Sequence, residues 1–432
     1  SMRSLSLLLS GLLAVERVHA ADVFAHFMVE SAYGYDTAEK WTPHISLAQS
    51  IGIDGFSTDL MNIKNPGDGY EVDRLGVAFS AAEAASFDLI ISFDMSANSW
   101  TQETMQDLIS KHASSSAMYR WNDAVVVTTF SGDTYGNGFY VTLKSALASQ
   151  GVTISFTPAF LNQYGSSGDV DKVLSSFSSI DGFANWWAWP TGTNDTLTPD
   201  ADIAMQEAIH SQRTGPYIMA VSPWQFKSLG TGNNWVVQAD TLFHYRWEQV
   251  VNDVKPDIVE LISWNDFPES HYLGDHDDTV QLYDAEHYVL GYDHGAWRSI
   301  VQYYASLYKT GSATINDEVI YWYRTSPKAA LCSQGERPDG ADYPADAVFA
   351  LALLADSTGN ATISLDIGSS HAEFIATGGK PTLGWVSFPT EDNQAPSVQI
   401  IKDGQTTKSG TGSMQVSSAC EYYNFNPLVQ KV

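Results

Sequence analysis

The sequence has few cysteines and few basic residues, and each shortage excludes a class of protein. Only two of its 432 residues are cysteines, so it is not a disulfide-rich scaffold. Lys and Arg number 22 against 50 Asp and Glu, which gives a formal net charge of −28. That charge repels phosphate backbones and anionic membranes, so we expect neither nucleic acid nor a membrane as a partner.

Long apolar runs are also missing after the N-terminus. Residues 5–15 form an apolar segment that is too short to span a bilayer. It follows Arg3 and precedes the small-residue pattern Val18-His19-Ala20, an order typical of a secretory signal peptide. We predict that residues 1–20 are removed after Ala20 and that the chain is secreted to the extracellular space or the cell wall.

Export has consequences for the cysteines and for two asparagines. In an oxidising compartment, Cys332 and Cys420 are expected to form one disulfide that delimits a C-terminal module. Asn194 and Asn360 begin Asn-x-Thr sequons, so we predict that they are glycosylated and lie in exposed loops.

Cofactor motifs are absent as well. No strand-like run is followed by Gly-x-Gly-x-x-Gly, the histidines show no zinc-protease spacing, and no Gly-x-Ser-x-Gly nucleophile elbow occurs. Residues 274–279, GDHDDT, offer oxygen ligands for calcium but lack the EF-hand spacing, so an exposed acidic loop is the favoured interpretation. We therefore expect no metal and no organic cofactor.

From residue 21 to about 312, short β-rich runs alternate with helix-like segments. Near-continuous apolar strands separated by helices are typical of a parallel sheet buried on both faces, and eight such units predict a (β/α)8 TIM-type barrel. The eight predicted strands are 23–29, 55–60, 89–95, 124–130, 153–160, 182–189, 217–224 and 258–264.

The pattern changes in residues 313–432. Four strand-like runs, 319–324, 347–355, 361–368 and 396–404, are broken by Gly, Pro, Asp and Asn and have no helical spacing. This pattern predicts a small antiparallel β-sandwich domain that packs on the barrel.

Polar and aromatic residues gather where the predicted barrel strands end, which is where barrels of this type carry their chemistry. Asp266 and Glu269 follow the last strand, and paired carboxyl groups can cleave a glycosidic bond as acid and base because proximity raises one pKa. Around them we expect a substrate-binding cleft formed by His26, Asp59, Asp94, Trp186, Trp187, Trp189, Trp224, Trp264, Asn265, His271 and Tyr272. Each of these tryptophans has a competing interpretation as a core residue, and each acid as a cap or loop residue.

Three segments, AHFMVE with YGYD after it, IGIDGF, and SWNDFPESHY, resemble glycoside hydrolase family 71, the fungal α-1,3-glucanases or mutanases. The resemblance covers residues 21–432. It implies a barrel followed by a β-sandwich, hydrolysis of α-1,3-glucan with inversion, and catalysis by Asp266 and Glu269. On this basis we predict Glu269 as general acid and Asp266 as general base, with carboxyl groups about 6.5–9.5 Å apart.

The sequence thus predicts a secreted, monomeric hydrolase of a polysaccharide, α-1,3-glucan. One alternative is a glycosidase of the same fold that acts on α-mannosides or α-1,4-glucans. The other is a wall-binding lectin without catalytic activity.

Overall fold

A computed structural model describes residues 21–61, 69–97, 99–161 and 170–432 of the chain. The predicted signal peptide, residues 1–20, lies outside the described residues. Within the described part the strands are β1 Asp22–Met28, β2 Gly55–Leu60, β3 Asp88–Asp94, β4 Arg120–Trp121, β5 Ala124–Phe130, β6 Ile154–Phe156, β7 Phe183–Asn185, β8 Tyr217–Val221, β9 Phe226–Ser228, β10 Asn234–Val236, β11 Ile258–Leu261, β12 Glu318–Tyr323, β13 Ala347–Leu353, β14 Ala361–Ile367, β15 Ser370–Ala376, β16 Thr382–Ser387, β17 Ser397–Lys402, β18 Gln405–Thr411 and β19 Leu428–Lys431.

The helices of the described part lie mostly between the strands of the first 310 residues. They are α1 Ala38–Ser50, α2 Tyr70–Ala85, α3 Gln102–His112, α4 Asn137–Ser149, α5 Val170–Ser176, α6 Asp200–Gln212, α7 Leu242–Glu248, α8 Glu286–Val289 and α9 Arg298–Thr310. Local sequence sets several of their ends. Thr101 and Thr104 form a reciprocal cap at the start of α3, and α9 ends at Gly311, whose φ of 75° is a left-handed conformation that glycine adopts without strain.

Eight parallel strands form one curved sheet in the order β6-β5-β3-β2-β1-β11-β8-β7, with β4 added antiparallel to β5. The two end strands are close, because the N–H groups of Gly182 and Ala184 donate to the carbonyls of Phe156 and Pro158 at 3.1 and 3.0 Å. Gly182 allows this approach, since a Cβ there would lie 2.7 Å from Oγ1 of Thr157, which follows β6. The fold is therefore mixed α/β around a curved parallel sheet.

The predicted strands agree with this sheet in number and position but are too long by three or four residues at four carboxyl ends. The strand predicted at 153–160 ends at Phe156. The strand predicted at 182–189 ends at Asn185, that at 217–224 ends at Val221, and that at 258–264 ends at Leu261. The extra residues at each of these ends include an aromatic side chain and are mostly buried, so their composition resembles that of a strand although they belong to loops. Trp186, Trp187 and Trp189 consequently follow β7 and do not alternate across it.

The C-terminal residues form two four-stranded antiparallel sheets, ordered β16-β13-β12-β19 and β15-β14-β17-β18. Four of these eight strands were not predicted, namely β15, β16, β18 and β19, because they are short or have polar residues or glycine between their apolar ones. Apolar side chains of both sheets share one buried cluster. The other face of the β12–β13 sheet, including Trp322 and Phe349, belongs to the cluster of the parallel sheet.

The predicted disulfide is present. Cys332 and Cys420 are bonded across 88 positions of sequence and join the segment after β12 to the segment before β19. Asn194 and Asn360 both lie in exposed loops. Their glycosylation stays a prediction.

Candidate functional site

The loop after β11 carries Asp266 and Glu269 at the carboxyl edge of the parallel sheet. Several neighbours fix this loop. The side chain of Asn265 accepts from the N–H of Met28 at 2.7 Å and donates to its carbonyl at 3.0 Å, so the loop is hydrogen-bonded to the end of β1. The hydroxyl of Tyr288 donates to the carbonyl of Pro268 at 2.8 Å. These bonds hold the turn that brings the two acids together.

Asp266 and Glu269 lie on the same side of this turn. The N–H of Glu269 donates to Oδ1 of Asp266 at 3.2 Å, and an oxygen of each carboxyl falls within 4.8 Å of the other and of a ring nitrogen of His271. Their side chains are 18% and 23% exposed, so both reach the solvent. One oxygen of each carboxyl is thus nearer to the other than the roughly 6.5–9.5 Å expected between the carboxyl groups of an inverting pair, and the separation of the groups as a whole stays a prediction.

Glu269 is surrounded by donors. Its carboxylate accepts from Gln225 Nε2 at 3.0 Å and pairs with Lys227 Nζ at 3.1 Å, while Nε2 of His271 lies 3.3 Å away. Burial raises the pKa of Glu269, but His271, Lys227 and Gln225 outweigh it and lower the pKa to about 2. Glu269 is therefore ionised over the whole ordinary pH range.

Asp266 has the opposite environment. Burial raises its pKa; His271 opposes this shift, and the negative charge of Glu269 adds to it. The net result is a pKa above the ordinary value for an aspartate. Two neighbouring acids whose pKa values are moved apart in this way can act as a proton donor and a base.

His271 contacts Glu269 with one ring nitrogen and Ser263 with the other. Its Nδ1 lies 2.9 Å from Oγ of Ser263, which also accepts from the N–H of Asp266 at 2.9 Å. The ring of Trp189 stacks on His271, with centroids 5.6 Å apart at 22°. His271 is thus held on two sides and directs Nε2 toward the acids.

Three further predicted residues lie at the ends of the first strands. His26 is buried, with Nδ1 3.0 Å from Oε1 of Glu260. Burial lowers the pKa of His26, but the hydrogen bond to Glu260 and the charge of Asp59 outweigh that effect and raise it. Burial raises the pKa of Asp59 to about 8, with His26 opposing and Asp94 adding to the shift. Asp94 is buried and accepts from Ser96.

The tryptophans separate into two groups. Trp186 contacts His26 edge-on at 4.7 Å, and Trp187 and Trp189 line a surface pocket of about 380 Å³ next to the site. Trp224 and Trp264, by contrast, are 2% and 0% exposed, and their indole N–H groups donate to Phe425 O and to His44 Nδ1. These two indoles pack behind the site and have no accessible face.

Tyr272 is also a packing residue. It is 2% exposed, stacks on His294 with centroids 4.0 Å apart, and accepts from Asn426 Nδ2 at 3.0 Å. The structure therefore brings Asn265, Asp266, Glu269, His271, His26 and Asp59 into one region and places Tyr272 beneath it.

Sequence reasoning missed three residues of this site. Glu260 was recognisable, because it is an acid inside the otherwise apolar run of β11. Gln225 and Lys227 carried no such signal, since they come from the segment that follows β8 and begins the β9–β10 hairpin. Only the tertiary fold brings that segment to Glu269.

The loop at residues 274–279 differs from the exposed acidic loop that was predicted. Asp277 is partly buried and accepts from the hydroxyl of Tyr35, which lies 2.8 Å from Nε2 of His44. Asp275 and Asp278 are exposed, as expected. The three side chains Asp266, Glu269 and His271 have the spacing of metal ligands, but Lys227 already supplies positive charge to Glu269.

A curved parallel sheet with paired carboxyls on the loop of a strand end, walled by indoles, is the arrangement of a glycoside hydrolase. Residues 19–432 match the sequence profile of glycosyl hydrolase family 71. The glucan endo-1,3-alpha-glucosidase agn1 of Schizosaccharomyces pombe is 34% identical over 418 residues, covering 94% of this chain and 93% of that protein. The mutanase Pc12g07500 of Penicillium rubens is 32% identical over 417 residues, covering 94% and 88%.

The chain belongs to glycosyl hydrolase family 71, as its sequence motifs predicted. Among solved structures, the GH99 endo-alpha-mannosidase from Bacteroides thetaiotaomicron is similar with a TM-score of 0.50 at 11% identity, covering 66% of this chain and 97% of that one. At that identity the likeness concerns the fold alone. No helix of the described residues is both long enough and apolar enough to cross a membrane.

Proposed function

We propose that this chain hydrolyses α-1,3-glucosidic bonds within α-1,3-glucan. The relatives named above are a glucan endo-1,3-alpha-glucosidase and a mutanase, which supports this linkage and attack inside the polymer. The observation that carries the proposal is the pair Asp266 and Glu269, whose pKa values move in opposite directions. Such a pair supplies the proton donor and the base that cleavage of a glycosidic bond requires.

In this proposal Asp266 is the general acid and Glu269 the general base, the reverse of the order expected from sequence. Lys227, His271 and Gln225 keep Glu269 ionised, and an ionised group cannot donate a proton to the leaving oxygen. Asp266 is partly buried beside that negative charge and retains its proton more readily. The neighbours of the two acids therefore favour Asp266 as general acid and Glu269 as general base.

Inversion at the anomeric carbon, which the family resemblance implies, remains part of the proposal. It requires the carboxyl groups of Asp266 and Glu269 to be about 6.5–9.5 Å apart when substrate is bound, because an attacking water must fit between acid and base. Proton NMR of the first product tests this step. A first-formed β-anomer is expected, whereas an α-anomer would mean retention and would agree with the short separation of the free pair.

Substrate is proposed to lie over the strand ends. His26, Asp59, Asp94 and Trp186 border the acids near β1, β2, β3 and β7, and the pocket at Trp187 and Trp189 continues from His271. The pocket combines indole faces with the side chains of Thr191, Thr193 and Thr198. Aromatic faces pack on the C–H faces of sugars, and hydroxyls bind their polar edges.

The architecture proposed with this function is a closed (β/α)8 barrel at residues 21–312 and a β-sandwich domain at 313–432. The hydrogen bonds between the segments of β6 and β7 support closure, and the apolar cluster shared by the two antiparallel sheets supports a sandwich. We further propose that the protein is secreted and monomeric and has neither nucleic acid nor a membrane as a partner. The Cys332–Cys420 disulfide supports the oxidising compartment.

The test compares Asp266→Asn and Glu269→Gln with the control Asp278→Asn, which changes an exposed acid of the following loop. Release of reducing sugar from α-1,3-glucan should fall roughly 10²- to 10⁴-fold in the first two variants and stay unchanged in the control. On an α-1,3-oligoglucosyl fluoride, whose leaving group needs no proton, Asp266→Asn should recover activity and Glu269→Gln should not. Recovery by Glu269→Gln alone would restore the original order of roles.

Two alternatives have distinct outcomes in the same assay. Activity on starch or mannan but not on α-1,3-glucan would identify a glycosidase with another substrate. Binding of α-1,3-glucan without product, unchanged in both variants, would identify a lectin.

A further inference from the structure

Tyr33 is an exposed aromatic residue close to the candidate site. It directly follows the 3-10 helix Val29–Ala32, and 65% of its surface is exposed. Exposed tyrosines normally turn freely and pack on little. The Tyr33 ring, by contrast, is held in place by its neighbours.

Three contacts hold Tyr33 without covering it. The guanidinium of Arg74 lies 5.7 Å from the centroid of the Tyr33 ring, and its Nε donates to the Tyr33 carbonyl at 2.8 Å. The ring of Tyr70 meets that of Tyr33 edge-on, with centroids 5.1 Å apart at 80°. Tyr70 is fixed in turn, because its hydroxyl donates to the carbonyl of Glu30 at 2.9 Å. A flat ring is thus oriented in advance and left open to solvent.

The position of this ring relates it to the acids. Asn265 is bonded twice to Met28, and the 3-10 helix leads from Met28 to Tyr33. At roughly 2 Å of rise per residue, five residues place Tyr33 about 10 Å from that junction. In the strand order β2-β1-β11-β8-β7, Tyr33 lies on the β1–β2 side of the acids and Trp187 on the β7 side.

We propose that Tyr33 is a sugar-binding platform, on which a glucosyl residue of the bound α-1,3-glucan stacks at a subsite remote from the cleaved bond. Arg74 and Tyr70 are positioning residues that keep the ring flat toward the polymer. A pre-oriented ring binds with little loss of conformational entropy, which suits weak stacking on a polymer that must move on after cleavage. This inference rests on the proposed function, since it assumes the same substrate.

The test measures KM and kcat of Tyr33→Ala on α-1,3-oligoglucosides of increasing length. On long oligosaccharides KM should rise about tenfold with kcat unchanged. On the shortest cleaved oligosaccharide, which does not reach the platform, both constants should match the wild type. Tyr33→Phe should behave as the wild type on all lengths, because the ring and not the hydroxyl makes the contact.

Two further variants make the result specific. Trp385→Ala removes an aromatic residue of similar exposure, 57%, from β16 and should change no kinetic constant. Arg74→Gln keeps the ring but removes its support, so it should raise KM on long oligosaccharides less than Tyr33→Ala does. It also tests the platform independently if Tyr33→Ala does not fold.

The inference is overturned if Tyr33→Ala leaves KM on long oligosaccharides unchanged, or if it affects short and long ones equally. A wild-type protein without activity on any α-1,3-glucan would instead overturn the proposed function. The two failures are therefore distinguishable.

Discussion

The parallel sheet and the antiparallel sheets of this molecule bury different kinds of side chain. The strands β1, β2 and β3 bury His26, Asp59 and Asp94 near their carboxyl ends, where these groups meet other charges. Between residues 313 and 432, the buried polar or charged residues are Arg324, Ser364 and Asn426, and the shared cluster of the two sheets is otherwise apolar. Buried polar groups cost stability unless they are paired. The antiparallel region is therefore expected to contribute to stability alone, whereas the strand ends of the parallel sheet also carry groups suited to chemistry.

This difference predicts opposite responses to substitution. Asp59→Asn should lower kcat about 10²-fold or more, as the loss of one preoriented polar group commonly does. It should also raise the melting temperature at pH 7. The folded pKa of Asp59, about 8, lies above its unfolded value, so the unfolded state loses this proton first and the stability of the fold falls as pH rises from about 4 to about 8.

The pH dependence of the melting temperature provides a control for the predicted gain in stability of Asp59→Asn. Below pH 4 the carboxyl is protonated in both states, so the melting temperatures of wild type and Asp59→Asn should converge there. A variant that is less stable at pH 7, or fully active, would contradict the contrast between the two regions.

In the antiparallel region, Leu365→Ala should have the reverse effect. Leu365 is 0% exposed in β14 and lies opposite Val398 of β17. Truncation should cost about 2–5 kcal/mol of unfolding free energy through lost burial and the cavity left behind. Denaturant unfolding measures this loss, and kcat at 25 °C should equal that of the wild type. A large decrease in kcat in a folded variant would mean that the two regions are coupled.

Removal of the disulfide should also affect stability alone. Changing Cys332 and Cys420 together to Ser opens a loop of 88 positions and should cost about 2–4 kcal/mol. Thermal unfolding with and without reductant checks this, because reductant should lower the melting temperature of the wild type toward that of the variant. Equal melting temperatures in both would show that the bond does not stabilise the fold.

The smallest expected effect concerns Lys227. In Lys227→Met the pKa of Glu269 should rise by about 1–2 units, because a positive charge 3.1 Å from its carboxylate is lost. Since Glu269 must be ionised to act as base, the acid limb of the kcat/KM profile should move to higher pH by the same amount. Lys227→Arg is the matched control, and an unmoved limb in Lys227→Met would mean that another group sets it.

Much of this organisation could be predicted from sequence, for identifiable reasons. The apolar runs that became β1, β2, β3, β5 and β8 are local signals, and Asp266 and Glu269 are close in space because they are close in sequence. Lys227 and Gln225 could not be found, since their role depends on where the β9–β10 hairpin folds. Trp224, Trp264 and Tyr272 were expected to bind substrate, but the sequence does not specify which side of a loop faces solvent. The strands β15 and β18 were missed because they expose polar residues on most positions.

The two bonds between Asn265 and Met28 join positions that are 237 residues apart in the chain. The loop that carries the acids is therefore held by a strand that is translated long before it, and the acids acquire their final geometry only after both segments have been synthesised. Shortened translation products that end before this loop contain neither Asp266 nor Glu269, so we expect them to be inactive. Under the proposed function, catalytic activity would therefore be acquired late in synthesis.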